Sequence, residues 1–83
     1  MKLLSVGFGN YVASDRILAI LNPDSAPMKR LKEEIKSKGL LIDVTQGRRT
    51  RAFIALDSGH LVLSGIQADT LATRYSNDSG KKE

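Results

Sequence analysis

Arg51-Ala52-Phe53-Ile54-Ala55-Leu56-Asp57-Ser58-Gly59-His60-Leu61-Val62-Leu63-Ser64 is the stretch that decides the fold. Two short apolar runs flank Asp57-Ser58-Gly59, a connection too short for anything but a tight turn, so 51–56 and 60–64 read as an antiparallel hairpin. Upstream, Leu40 to Thr45 reads as a further strand, with Gln46 to Thr50 as the turn that returns it into 51–56. Residues 2–8 alternate, with Leu4, Val6 and Phe8 on one face. Gly9-Asn10 then turns the chain into Tyr11-Val12-Ala13. Arg16 to Leu21 is a strand apolar on both faces, which suits a central strand or a subunit contact.

The helices are also legible. Asp24 or Ser25 can cap a helix over about 26–38, and Pro27 is tolerated in its first turn, where amides have no intrahelical partner. Met28, Leu31 and Ile35 form a narrow apolar stripe, Lys29, Lys32 and Lys36 line the adjacent flank, and Gly39 offers a left-handed cap. A short helix over about 67–75 places Leu71 and Tyr75 on one side. The fold class is therefore α+β: a small, mostly antiparallel β domain with one main helix and a short C-terminal one. Residues 1–75 read as a single domain and 76–83 as a polar, disordered tail.

Bulk properties restrict function. A chain of 83 residues without cysteine or tryptophan cannot be stapled by disulfides or thiolate metal sites. It buries roughly 60–65% of its unfolded surface, and small unstapled domains of this kind gain stability by oligomerising. The start lacks the apolar run of a signal peptide, and no segment has the length of a membrane span, so a cytoplasmic protein is expected. Net charge is +4, and its placement is uneven. Residues 1–24 balance Lys2 and Arg16 against Asp15 and Asp24, whereas the excess lies on the 26–38 helix and on the Arg48–Arg51 turn.

That turn, Gly47-Arg48-Arg49-Thr50-Arg51, crowds three guanidinium groups into four residues. Their mutual repulsion is relieved by an anionic partner, and the guanidinium fork matches phosphate oxygens and guanine edges. A solvated arginine-rich loop is the plain alternative. In a hairpin, Arg48 and Arg49 would occupy the tip, and Arg49 and Arg51 would point to one face if extended. Arg16, at the entry of another strand, could complete the patch. The lysine flank of the helix reads as a solvated face with a supporting role at most.

Enzyme chemistry is poorly supplied. His60 is the single histidine, the aspartates are scattered, and neighbouring Glu33 and Glu34 diverge by about 100° on a helix. No catalytic or metal-binding residues are assigned, and no cofactor is expected. Gly7-Phe8-Gly9 lacks the third glycine of a dinucleotide fingerprint, since Val12 stands there, and reads instead as a turn.

Gly7-Phe8-Gly9-Asn10, Arg16-Ile17, Pro23-Asp24-Ser25-Ala26-Pro27-Met28-Lys29-Arg30 and Ile42-Asp43-Val44-Thr45-Gln46-Gly47-Arg48-Arg49-Thr50-Arg51 together resemble the RemA family of bacterial extracellular-matrix regulatory proteins. The likeness covers roughly residues 2–75 in order. It implies a nucleoid-associated transcriptional activator of biofilm-matrix operons, assembled as a closed ring of seven or eight identical subunits, with promoter duplex DNA following its outside. It assigns DNA contacts to Arg16, Arg48 and Arg49, with Arg51 continuing the motif, and links Pro27 to function, which reads as structural through the helix start; Gly47 also reads as structural. Gln46 departs from the family, which has an aromatic there, and the tail is short. Repetition of a weak patch around a ring raises avidity, and readout would rest on DNA shape and bendability. The alternative is a basic oligomeric scaffold for an acidic protein or a nucleotide, with DNA incidental. RNA binding is disfavoured by the scarcity of aromatics for stacking.

Overall fold

The computed structural model describes residues 2–79. The chain runs β1 (Leu3–Gly7), β2 (Asn10–Ala13), a 3-10 turn (Ser14–Arg16), β3 (Ile17–Leu21), α1 (Ala26–Ser37), β4 (Leu41–Asp43), β5 (Ala52–Leu56), β6 (Leu61–Ser64) and α2 (Ala68–Ser79). Among these residues the strands form a two-stranded sheet, β1-β2, and a four-stranded sheet in the order β3-β5-β6-β4. The α+β class stands, and every strand pair but one is antiparallel.

The β5–β6 hairpin forms as the sequence predicts, with Phe53 opposite Leu63 and Ile54 opposite Val62. Gly59, at φ +93°, lets the turn close with its N–H donating to the Leu56 carbonyl at 3.0 Å. The two faces of the hairpin feed two cores. Ala52, Ile54 and Val62 pack with Leu4, Val6 and Val12 of the first sheet and with Leu71 of α2. Phe53, Leu61 and Leu63 point the other way, against Met28 and Ile35 of α1. The domain is thus three layers deep, with the larger sheet in the middle. The stripe on α1 holds, with Met28, Leu31 and Ile35 all half-buried. Ser25 is the cap: its Oγ accepts from the Met28 N–H at 3.4 Å, and Gly39 at φ +74° ends the helix as expected.

Four expectations are corrected. β4 does not form a hairpin with β5; it pairs in parallel with β6, Leu41 beside Leu61 and Asp43 beside Leu63. Every residue of β6 is buried, so this strand needs a neighbour on each side, whereas β4 carries the exposed Ile42 and Asp43 that suit an edge. The connection from 44 to 51 accordingly crosses the end of β6 rather than closing a hairpin tip. β3 is likewise an edge strand, not a central one; its second apolar face is exposed at Leu18, beside a register shift between Ile17 and Ala19. Phe8 leaves the face it would share with Leu4 and Val6, because the turn begins one residue early, at Phe8 with φ +55°. Finally, α2 runs on to Ser79, so residues 76–79 of the expected tail are helical, while 80–83 lie outside the described residues.

Ser64 ties the layers together at the end of β6. It is fully buried, its hydroxyl donates to the Val6 carbonyl at 2.8 Å and accepts from the Ile66 N–H at 3.1 Å. Ser64→Ala leaves a buried carbonyl and amide without these partners and should cost about 1–3 kcal/mol, read as a lower urea midpoint at unchanged slope.

Candidate nucleic-acid interface

The 44–51 connection is fastened at both ends and in the middle. The Val44 N–H donates to Leu63 O at 3.0 Å and the Arg51 N–H to Ser64 O at 2.8 Å, so it is pinned to the end of β6. Between these, Gln46 (φ +53°) and Gly47 (φ +82°) are both left-handed, and the Arg48 N–H donates to Thr45 O at 3.1 Å. This is a tight turn that only a glycine tolerates freely at its second centre, which is the structural part expected of Gly47. Thr45 is buried and anchors the entry: its hydroxyl and N–H both donate to Asp43 Oδ1, at 2.6 and 2.9 Å. Three arginines are therefore displayed on a braced loop.

Their side chains remain in solvent. Arg49 is 70% exposed and stands 3.9 Å from the equally exposed Asp24 in the loop before α1. Arg48 lies with its guanidinium carbon 5.5 Å from the centre of the Phe8 ring, a cation–π geometry. Phe8 itself is half exposed on the tip of the β1–β2 hairpin, where Gly7, Phe8 and Gly9 are all at positive φ. Such a backbone costs a residue with a side chain about 1–2 kcal/mol. Arg51, at the foot of β5, borders a shallow polar cleft of about 240 Å³ with Asn22, Gln67, Ala68 and Asp69. The Asp69 carboxylate there opposes an anion in that cleft.

Arg16 is not part of this patch within the chain. It lies in the 3-10 turn ahead of β3 rather than in the strand, and its Nη1 reaches Asp57 Oδ2 at 3.2 Å across the β5–β6 turn. That turn and the 44–51 connection are at opposite ends of β5, about 20 Å apart at roughly 3.4 Å per residue. The lysines lie along α1, which follows the Asp24 loop and leads into β4. Lys29 and Lys36 are exposed; Lys32 is half-buried and faces Asp43. Pro27 sits in the first turn of α1, as expected.

Asp24, Asp57 and Phe8 were not singled out by the sequence as neighbours of these arginines. The Arg16–Asp57 contact depends on β3 pairing with β5, and no local pattern announces that pairing. For enzyme chemistry, no group of three or more His, Cys, Asp or Glu able to hold a metal occurs among the described residues. His60 Nδ1 is engaged with Ser58 Oγ at 2.7 Å.

The Asp43 carboxyl is held below its usual range, chiefly by the Thr45 hydroxyl and then by the Thr45 N–H; burial opposes them, and Lys32 adds the least. A depressed carboxylate stabilises the fold above its unfolded pKa, and that contribution is lost as pH falls through the lower folded value. The loss should therefore fall below pH 3.8, the ordinary value. In Thr45→Val, a carbon-13 titration should show Asp43 moving back up toward that value, and the part of the stability loss below pH 3.8 that Asp43 carries should shrink with it.

Comparison with known proteins agrees over nearly the whole chain. A protein of Desulfatibacillum aliphaticivorans is 56% identical over 81 residues, covering 98% of this chain and 91% of its own length. One from Syntrophobacter fumaroxidans is 53% identical over 83 residues, covering 100% of this chain and 88% of its own. One from Thermosipho melanesiensis is 58% identical over 73 residues, covering 88% and 78%. Each carries the name "Putative regulatory protein". The family model described as extracellular matrix regulatory protein A-like matches residues 3–75, and with relatives this similar the chain belongs to the RemA-like family of regulatory proteins.

Proposed function

We propose that the protein is a transcriptional regulator that binds duplex DNA as a ring of identical subunits and activates matrix operons. The observation that carries the reading is the braced 44–51 connection, which holds Arg48 and Arg49 in solvent at fixed spacing. Both carboxylate partners, Asp24 and Asp57, form exposed pairs of the kind worth about 0–1 kcal/mol, so phosphates can replace them at little cost.

The separation of Arg16 from Arg48 and Arg49 supports assembly. One protomer offers two small basic sites on opposite ends of a sheet, which a duplex cannot join without passing along the molecule. A neighbour placed end to edge would set its Arg16 beside the first protomer's Arg48 and make the basic path continuous. β3 provides a suitable contact: its outer edge is unpaired among the described residues, Leu18 is 72% exposed, and an apolar cleft of about 270 Å³ lies between Ile17, Ile20, Ala72 and Tyr75. Repeating the patch then makes each later contact intramolecular.

In gel retardation, Arg48→Ala/Arg49→Ala should lose duplex binding while eluting from a sizing column like the parent. Single variants, Arg16→Ala included, should flatten the log–log salt dependence by roughly one unit per phosphate contact removed. Affinity should rise with duplex length as more subunits engage. Saturable binding without length dependence would instead favour an acidic protein or a nucleotide as the partner.

A further inference from the structure

We propose that Phe8 is a wedge that enters the minor groove of bound duplex DNA and partly unstacks a base step, an inference that rests on the DNA reading above. Several independent observations converge on this residue. Its ring is 49% exposed, so burial does not explain a large apolar side chain there. Its backbone is left-handed at φ +55° between two glycines at +109° and +77°, a conformation that glycine or asparagine would occupy with less strain. The strained tip is nonetheless held in place: Asn10 Nδ2 donates to the Gly7 carbonyl at 3.0 Å and reaches the Phe8 carbonyl at 3.4 Å. Local strain retained on a braced, exposed tip is characteristic of binding elements.

The surroundings specify the partner. Arg48 stacks over one side of the ring and Arg49 follows it in the chain, so the apolar group projects from a cationic rim. A protein interface core is depleted of charge, whereas phosphates flanking a groove match cations beside an apolar tip. Proteins that bend duplexes insert such a side chain between base pairs while arginines hold the adjacent backbone. Pyrimidine–purine steps yield most easily, so a wedge would favour TA and CA steps at the spacing of the subunits.

The test uses the full chain and duplexes carrying 2-aminopurine at TA steps or within A-tracts. The parent should bind the TA duplex more tightly and raise 2-aminopurine fluorescence. Phe8→Gly, which relieves the backbone, should keep the parent's thermal stability and solution mass, lose the fluorescence rise, and weaken TA-duplex binding by about tenfold. Phe8→Leu, apolar but without a ring for Arg48 to stack on, should retain most of both. If Phe8→Gly binds and unstacks DNA like the parent, the wedge is wrong while DNA binding stands. A Leu variant that behaves like the Gly variant would show that the ring only positions Arg48. A changed solution mass in Phe8→Gly would reassign the residue to a contact between copies, and a preference of the parent for single-stranded RNA, lost in Phe8→Gly, would also overturn the proposal. If the parent retains no duplex at all, the functional reading falls together with it.

Discussion

β6 is buried along its whole length between β5 and β4, so the chain leaving β4 must pass over the end of β6 before it can enter β5. That crossing governs everything at this end of the molecule. It needs a longer span than a hairpin loop, and its backbone has to find partners where the sheet stops. Val44 and Arg51 take them from Leu63 and Ser64, Thr45 leans on Asp43, and the left-handed pair Gln46-Gly47 reverses the chain. Side chains in the middle of such a bridge have no core to enter. Arg48 and Arg49 are held outward by the topology itself, with their loop fixed to the most deeply buried strand.

This explains which parts of the fold were legible in the sequence. The β5–β6 hairpin, the cap at Ser25, the stripe of Met28 and Ile35 and the glycine after α1 are all local signals, and each is where the pattern puts it. Strand order is not local. Leu40 to Thr45 followed by a polar turn and another apolar run has the same appearance whether the next strand pairs beside it or one place further on. What separates the two cases is that β6 is apolar on both faces while β4 ends in Asp43, and that comparison spans twenty residues. The edge position of β3 was hidden for a related reason, since Leu18 reads as a core residue until the register shift turns it outward.

The candidate site divides along the same line. The arginine cluster is a sequence motif and was visible as one. Its companions were not, because Asp24 reaches Arg49, Asp57 reaches Arg16 and Phe8 reaches Arg48 only through tertiary placement. Nor could the sequence show that Arg16 and Arg48 stand at opposite ends of one sheet.

The carboxylate partners bear on how such a surface can act. An unpaired cluster of arginines attracts any polyanion, and its charges also repel each other in the free protein. Pairing Arg16 with Asp57 and setting Arg49 near Asp24 lowers that field without burying either cation, since all four side chains stay at least 41% exposed. A single phosphate gains little by displacing a carboxylate that neutralises the same arginine. A polyanion that meets many copies of the site in register gains repeatedly, while the association entropy is paid only once. Repeated around the proposed ring, such a surface would discriminate by length and periodicity of the partner rather than by charge alone.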